Sequence, residues 1–544
     1  MTSTFHGLET ARRAMSSHQV ALQTVGHNIA NANTVGYSRQ RANLTATEAY
    51  PSPAFNSPSI PGQLGTGVKV GEIQRVRDSF LDAQFRTAST NYGYWAARFS
   101  ALTRMEDVMN ELSDNGLSNT LDRFWQSLQD LSVYPEDNGA RSVVKERGLA
   151  LAETFAYTYN SLQAVQDDYK NQLEVQQEKI NSLLRQIDSL NKQIAAVEPH
   201  GMLPNDLYDQ RDLLVDELSM YMNIKVEQFG SGGLSSAAAE GRYTIKLLDA
   251  NGRETGVTLV DGAALETREM RLSYDDDTGL VNGIYFAKQS TLQGVESVDE
   301  LAGRGGVVYF SSLDQFTTSG ALRATIEAYG YIDANGNEKG ELPEMLAQLD
   351  LMVYTFVEAF NEVHRSGWSL SEINAGEKAN GGAGYDFFTY EDGTPITADN
   401  MKGAAQRLTV NPEIISNLDN IAAATSKDGA TAFSGDGSNA LALANVKSAS
   451  LQFGNKTTTL ESYFQSVVGE WAVKTNEADR MTTNTYTLLN AAEDRRQSVS
   501  GVSLDEEITN LIQFQHAYNA AARNITVIDE MLDRIINGMG IVGR

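Results

Sequence analysis

Six histidines, His6, His18, His27, His200, His364 and His516, and no cysteine stand in a chain of 544 residues. Without a thiol there is no thiolate nucleophile, disulfide framework or cysteine metal site. No histidine pair has the H-E-x-x-H spacing that places two imidazoles on one helix face around zinc. His18 sits on an apolar helical stripe and His516 beside another, where an imidazole packs rather than ligates. Two D-A-N-G stretches, Asp249 to Gly252 and Asp333 to Gly336, look like the start of a calcium loop. Neither has the sixth-position glycine and terminal glutamate that such a loop needs, and Arg253 occupies a ligand position of the first. They are expected to be hairpin turns, in which Asn-Gly supplies positive φ angles. "YDDDTG" (274–279) reads as an acidic turn. "GQLGTGVKVG" (62–71) follows proline-dotted loop rather than a strand, which argues against a dinucleotide fingerprint. "FGNKTTT" (453–459) lacks the adjacent Gly-Lys of a phosphate loop, and no G-x-S-x-G elbow occurs. Carboxylates abound, yet nothing sets one pair apart for acid–base work. The chain is expected to be no enzyme and to carry no cofactor, catalytic residue or metal.

The information lies in the elements instead. The formal charge of −27 argues against nucleic acid or anionic membrane as a partner. It is uneven: residues 1–104 hold ten basic and five acidic side chains, leaving 33 against 65 for the rest. No run approaches the ~20 apolar residues of a membrane span, and the start lacks the apolar stretch of a cleavable signal. A soluble protein is expected.

Leu8, Ala11, Met15, His18, Leu22, Val25 and Ile29 recur in steps of three and four, the pattern of a narrow-striped helix. Residues 75–112, 117–131 and 140–198 read as helix, the last with Ile180, Leu183, Ile187, Leu190 and Ile194 in heptad. From about 224, short β-branched and aromatic runs alternate with Gly, Asn and Asp turns. Helix returns at 319–331 and 341–366, and again from about 455. The final stripe, Leu511, Phe514, Tyr518, Ala521, Ile525, Ile528, Leu532, Ile535, Met539 and Val542, is the longest. A capping box is expected at Ser503 and Glu506, and a C-terminal cap at Gly538. The fold class is mainly α with β-rich insertions (α+β): paired N- and C-terminal coiled-coil helices, a long-helix bundle, and outer β and mixed domains. The expected divisions are terminal segments 1–40 and 503–544, a helical body at 41–224, 316–371 and 455–502, a β-rich insertion at 225–315, and a mixed Gly/Ala-rich insertion at 372–454.

"NIANANTVGYSRQ" (28–40) follows the first stripe and carries Asn28, Ile29, Ala30, Asn31, Thr34, Gly36 and Tyr37. In these residues the chain resembles the bacterial flagellar rod, hook and hook-associated axial proteins, whose first helix runs into N-I-A-N-x-x-T-x-G-[YF]. Gln515, Tyr518, Ala520 and Ala522 match the family's C-terminal Q-x-x-Y-x-A-N-A, with Ala521 replacing asparagine. The stretches "LPNDLYDQRDLLVDELS" and "SVSGVSLDEEI" are similar to its hook–filament junction members.

The resemblance implies a structural subunit in a ring of like subunits. Its partners would be the hook protein and the second hook–filament junction protein (hook-associated protein 3), with an export chaperone on the C-terminal helix. It also implies type III export to the extracellular flagellum without a cleaved signal. The expected assembly interface is Leu8, Met15, Leu22, Val25, Asn28, Ile29, Asn31, Gly36 and Tyr37 with Leu511, Phe514, Gln515, Tyr518, Ile525, Ile528, Leu532 and Ile535. The asparagines are expected to bond exposed backbone where the helix ends, and the terminal segments to be disordered until assembly orders them. A hook or distal-rod subunit is the alternative within the family; an exported cell-wall hydrolase or an adhesin stands outside it.

Overall fold

The computed structural model describes residues 4–51, 55, 62–109, 116–292, 299–302, 304–426 and 432–538. Met539 and Val542 of the final stripe and Pro53, Pro58 and Pro61 lie outside them. The fold is α+β, with long helices at both ends. Helix α1 (Thr4–Ala30) is followed by a hairpin of β1 (Gln40–Ala46) and β2 (Val68–Arg75). The body then begins with α2 (Ser79–Met109), α3 (Leu117–Val133), α4 (Asn138–Val197) and α5 (Asn205–Tyr221). Asp137 caps α4 by accepting from the Gly139 amide, and the helix runs 60 residues, about 90 Å at ~1.5 Å per residue. Its heptad positions Ile180, Leu183, Ile187, Leu190 and Ile194 are all buried. Gly93 is required where α2 crosses α5: a Cβ there would lie 2.2 Å from the Met220 carbonyl oxygen.

Strands β3 (Ile224–Phe229), β4 (Arg242–Leu248), β5 (Glu254–Asp261), β6 (Glu266–Tyr274) and β7 (Val281–Lys288) form an antiparallel meander. β8 (Val308–Phe310) pairs with β7. After α6 (Ala321–Tyr329), β9 (Tyr331–Ile332) and β10 (Glu338–Lys339) extend the same sheet to eight strands. Both D-A-N-G stretches are turns of this sheet, with Gly252 and Gly336 at φ 79° and 83°. Asp249 accepts from the amides of Asn251 and Arg253, and Asp333 from those of Asn335 and Asn337.

Two buried asparagines hang this sheet on α4. Asn181 donates to the Met270 carbonyl at 2.9 Å and accepts from its amide at 2.7 Å. Asn191 does the same to Tyr243, at 2.9 and 3.0 Å. A side-chain amide offers the same donor and acceptor as a peptide, so a helix can satisfy a strand without being one. Asn361 repeats the device on α7 (Glu341–Ser366), bonding Phe387 and Phe388. There Phe124, Trp125, Phe356, Phe360, Phe387 and Phe388 form one aromatic core. Helix α8 (Leu460–Ser500) then returns along α2, and α9 (Leu504–Gly538) pairs with α1.

Candidate assembly site at the paired chain ends

Helices α1 and α9 run antiparallel: Gly7 faces Ile528, His18 faces Phe514 at 6.1 Å between ring centroids, and Asn28 faces Glu507. Together with the hairpin they make a rod. The hairpin lies along α1, held where Ser17 Oγ donates to the Val68 carbonyl at 3.1 Å and Arg13 Nη1 to that of Thr66 at 3.3 Å. Outside the asparagine segment, the expected interface residues fall into three groups. Leu8, Met15, Leu22 and Ile29 on α1, and Leu511, Phe514, Tyr518, Ile525, Ile528 and Leu532 on α9, are half-buried against each other. Val25 is buried. Gln515 and Ile535 point to solvent. Both ends are helical in this structure, and each helix offers the other an apolar stripe.

At the rod's base the asparagine segment divides its labour. Asn28 is fully buried, not a cap on exposed backbone as the sequence suggests. Its Nδ2 donates to the Gln40 carbonyl at 2.8 Å and to Glu507 Oε2 at 3.1 Å. Its Oδ1 accepts from the Gln40 amide at 2.9 Å and from the Tyr37 hydroxyl at 2.8 Å. Every hydrogen-bonding position of the amide is used. Burial, then the charges of Asp209, Asp206 and Glu507, push the Tyr37 hydroxyl above its ordinary pKa and keep it a donor. Its single proton goes to Asn28, so the 2.9 Å contact with His27 Nδ1 is donated by the histidine. Asn31 does close the helix end: it donates to the His27 carbonyl at 3.0 Å and accepts from the Thr34 hydroxyl at 3.2 Å. Gly36 has φ 79°, and a Cβ there would touch the Leu213 side chain at 3.4 Å.

Charges that no local sequence pattern announces surround this knot. Arg39 donates to Glu507 at 2.7 Å and Glu506 at 2.6 Å, so the expected capping-box glutamate pairs across the joint instead of closing its own helix. Below it, Asp209, Asp212 and Asp216 line one face of α5. Arg75 bonds Asp209 at 2.6 Å and Asp212 at 2.9 Å, and also Glu240. Arg86 bonds Asp212 at 3.2 Å and Asp216 at 2.8 Å, Arg77 bonds Asp82 at 2.8 Å, and Arg496 bonds Asp216. Burial alone would raise the Asp212 carboxyl, but Arg77, Arg75, Arg86 and Arg211 hold it far below the usual range. The i, i+3, i+7 spacing of those aspartates was visible in sequence. Arg75, Arg77, Arg86 and Arg496, over a hundred residues away, were not.

His364 is fully buried; Nδ1 donates to the Tyr385 carbonyl at 2.6 Å and Nε2 accepts from the Ala422 amide at 3.0 Å. Burial lowers its pKa to about 4. Among the described residues no group of three or more His, Asp or Glu side chains is placed to hold a metal ion, and no helix is long and apolar enough to cross a membrane.

A two-helix rod closed from both chain ends onto a helical body is the build of a flagellar axial protein. Models of the flagella basal body rod protein family and of the C-terminal region of the flagellar basal body rod FlgEFG proteins match residues 8–37 and 495–538. The flagellar hook-associated protein FlgK helical domain matches residues 102–388. Flagellar hook-associated protein 1 of Bacillus subtilis (strain 168) is 46% identical, with both chains covered completely. Its counterpart in Escherichia coli (strain K12) is 26% identical over 97% of this chain and 99% of its own. The solved flagellar hook junction protein FlgK from Burkholderia pseudomallei shares the fold at a TM-score of 0.58 and 16% identity, over 77% of this chain and all of that one. The chain belongs to the flagellar hook-associated protein 1 (FlgK) family, structural subunits at the junction of hook and filament.

Proposed function

We propose that this subunit enters the flagellar axis through α1 and α9, forming a ring with copies of itself. The hook protein lies on one side of that ring and the second hook–filament junction protein (hook-associated protein 3) on the other. It reaches that place through the flagellar type III apparatus, without a cleaved signal, after a chaperone has held α9. The carrying observation is how little of α9 the single chain covers. Among its described residues only Glu507 and Ala521 are buried, while Ile508, Ile512, Val527, Met531 and Ile536 are 47–75% exposed. Apolar area removed from water is worth about 25 cal/mol per Å², so neighbouring subunits that cover these side chains supply the free energy of assembly.

Removing residues 504–544 tests this. The body should keep its helical circular dichroism and melting transition, while cells lose their filaments and shed unassembled filament subunits. Normal filaments on the truncated protein would refute the reading.

A further inference from the structure

The strap that follows α7, residues 376–384, runs over the surface of the body and is fastened at both ends. Lys378 Nζ donates to the carbonyls of Arg365, at 2.7 Å, and Gly367, where the end of α7 leaves oxygens without helical partners. The Ala379 amide donates to Glu372 Oε1 at 3.0 Å, and the Ala379 carbonyl accepts from the amides of Gly382 and Gly384. Gly384 lies so close to α7 that a Cβ would stand 2.9 Å from the Arg365 carbonyl oxygen. Between these fastenings Asn380, Gly381 and Gly382 are exposed, and all three have positive φ, at 54°, 68° and 101°. Glycine accepts such a backbone freely; asparagine is one of the few other residues that do.

Asparagine followed by glycine is a chemically reactive pair. With no Cβ in the way, the glycine nitrogen can close on the asparagine side-chain carbon to form a five-membered imide. In a folded chain this depends on whether that nitrogen is already engaged. At other Asn-Gly pairs outside the rod, it is. Gly139 donates to Asp137 Oδ1 at 2.8 Å, Gly252 to the Asp249 carbonyl at 3.1 Å and Gly336 to that of Asp333 at 3.0 Å. Asn282–Gly283 is held inside β7, in register with β6. By contrast, the Gly381 amide has no acceptor among the described residues. The Asn380 side chain is also turned forward along the chain: its Nδ2 donates to the Gly384 carbonyl at 3.0 Å, across the turn that Gly381 opens.

We infer that Asn380–Gly381 is a site of spontaneous covalent modification, at which the folded chain deamidates before its other described Asn-Gly pairs outside the rod. The Gly381 nitrogen loses its proton and bonds to Asn380 Cγ; the side-chain nitrogen takes up a proton and leaves as ammonia. Water then opens the imide at either carbonyl. Opening at the side-chain carbonyl leaves aspartate, and opening at the main-chain carbonyl leaves isoaspartate, with Cβ now in the backbone. Either product is a carboxylate, which cannot donate to Gly384, so the strap loses a tether. The isoaspartyl form also adds an atom to a strap whose ends are fixed, and that extra length has to bulge at the exposed turn.

Ageing the full-length chain at mildly alkaline pH, followed by peptide mapping, tests this. Trypsin releases Ala379–Lys402, and fragmentation of that peptide in the mass spectrometer localises amide-to-acid conversion and separates aspartyl from isoaspartyl. Conversion at Asn380 should run at least threefold faster than at Asn138, Asn251, Asn282 or Asn335. It should quicken as pH rises, because the attacking nitrogen must lose its proton. Asn380→Gln, whose longer side chain would have to close a less favourable six-membered ring, should stop it without moving the melting temperature. In urea, where no amide is held, the pairs should convert at similar rates. Equal rates in the folded chain would overturn the inference. So would an undiminished preference for Asn380 in urea, which would place the cause in local sequence and not in the fold.

Discussion

Asn28 shows how far one residue's identity reads in sequence and where that stops. Its place in a recognisable string is plain, but its partner Glu507 is 479 positions away. Because Oδ1 accepts twice and Nδ2 donates twice, Asn28→Asp turns the contact with Glu507 from attraction to repulsion. We expect a local cost of about 1–3 kcal/mol, seen as faster hydrogen exchange at the Gln40 amide with the body's melting unchanged. Full protection at Gln40 would contradict this. His364 carries a pH signature. Its folded pKa of about 4 lies below the unfolded ~6.5, so the unfolded chain binds the extra proton first. Its contribution is intact above pH ~6.5 and falls by about 3 kcal/mol as pH drops to ~4. His364→Gln should flatten urea midpoints between pH 7 and 4; an unaltered slope would exclude His364 as the source.

At the scale of elements, periodicity located nearly every long helix, because an amphipathic stripe is a local property of the chain. The turns at Gly252 and Gly336 were equally legible, since positive φ has few residue solutions. Less visible was how elements dock. Asn181, Asn191 and Asn361 sit in helices as ordinary polar residues, and only the strand beside each explains it. The Arg39–Glu506 pair likewise overrode a local capping signal, because a half-buried cation already bonded to Glu507 competes for Glu506 with a helix end that water can serve. For the rod we expect Ile512→Asp with Met531→Asp to leave the free chain's melting temperature within about 2 °C, since exposed substitutions away from the core cost little. Filament formation should still fail. Filaments at parental length would remove the outer face of α9 from the interface.

The whole molecule separates what folds from what assembles. The principal apolar core runs from Ala101 to Ala478 and includes neither α1 nor α9. Sequence composition hinted at this in the basic start and acidic remainder, but the concentration of those basic residues at one joint is a property of the fold alone. A net charge of −27 also means that copies repel at long range. Raising ionic strength from 0.01 to 0.15 M shortens the screening length from about 30 to 8 Å. Purified subunits should then associate faster, by light scattering; slowing would show that attraction between unlike surfaces governs the encounter.

The antiparallel course of α1 and α9 has a practical corollary. With Gly7 level with Ile528, the first turns of α1 and the last turns of α9 lie at the same end of the rod. A fluorescent protein or affinity tag fused to either end would crowd the same spot, so moving it from one end to the other cannot relieve the obstruction. The exposed Asp333–Gly336 turn lies on the outer sheet, and a short epitope inserted there gives a label whose bulk stays clear of the rod.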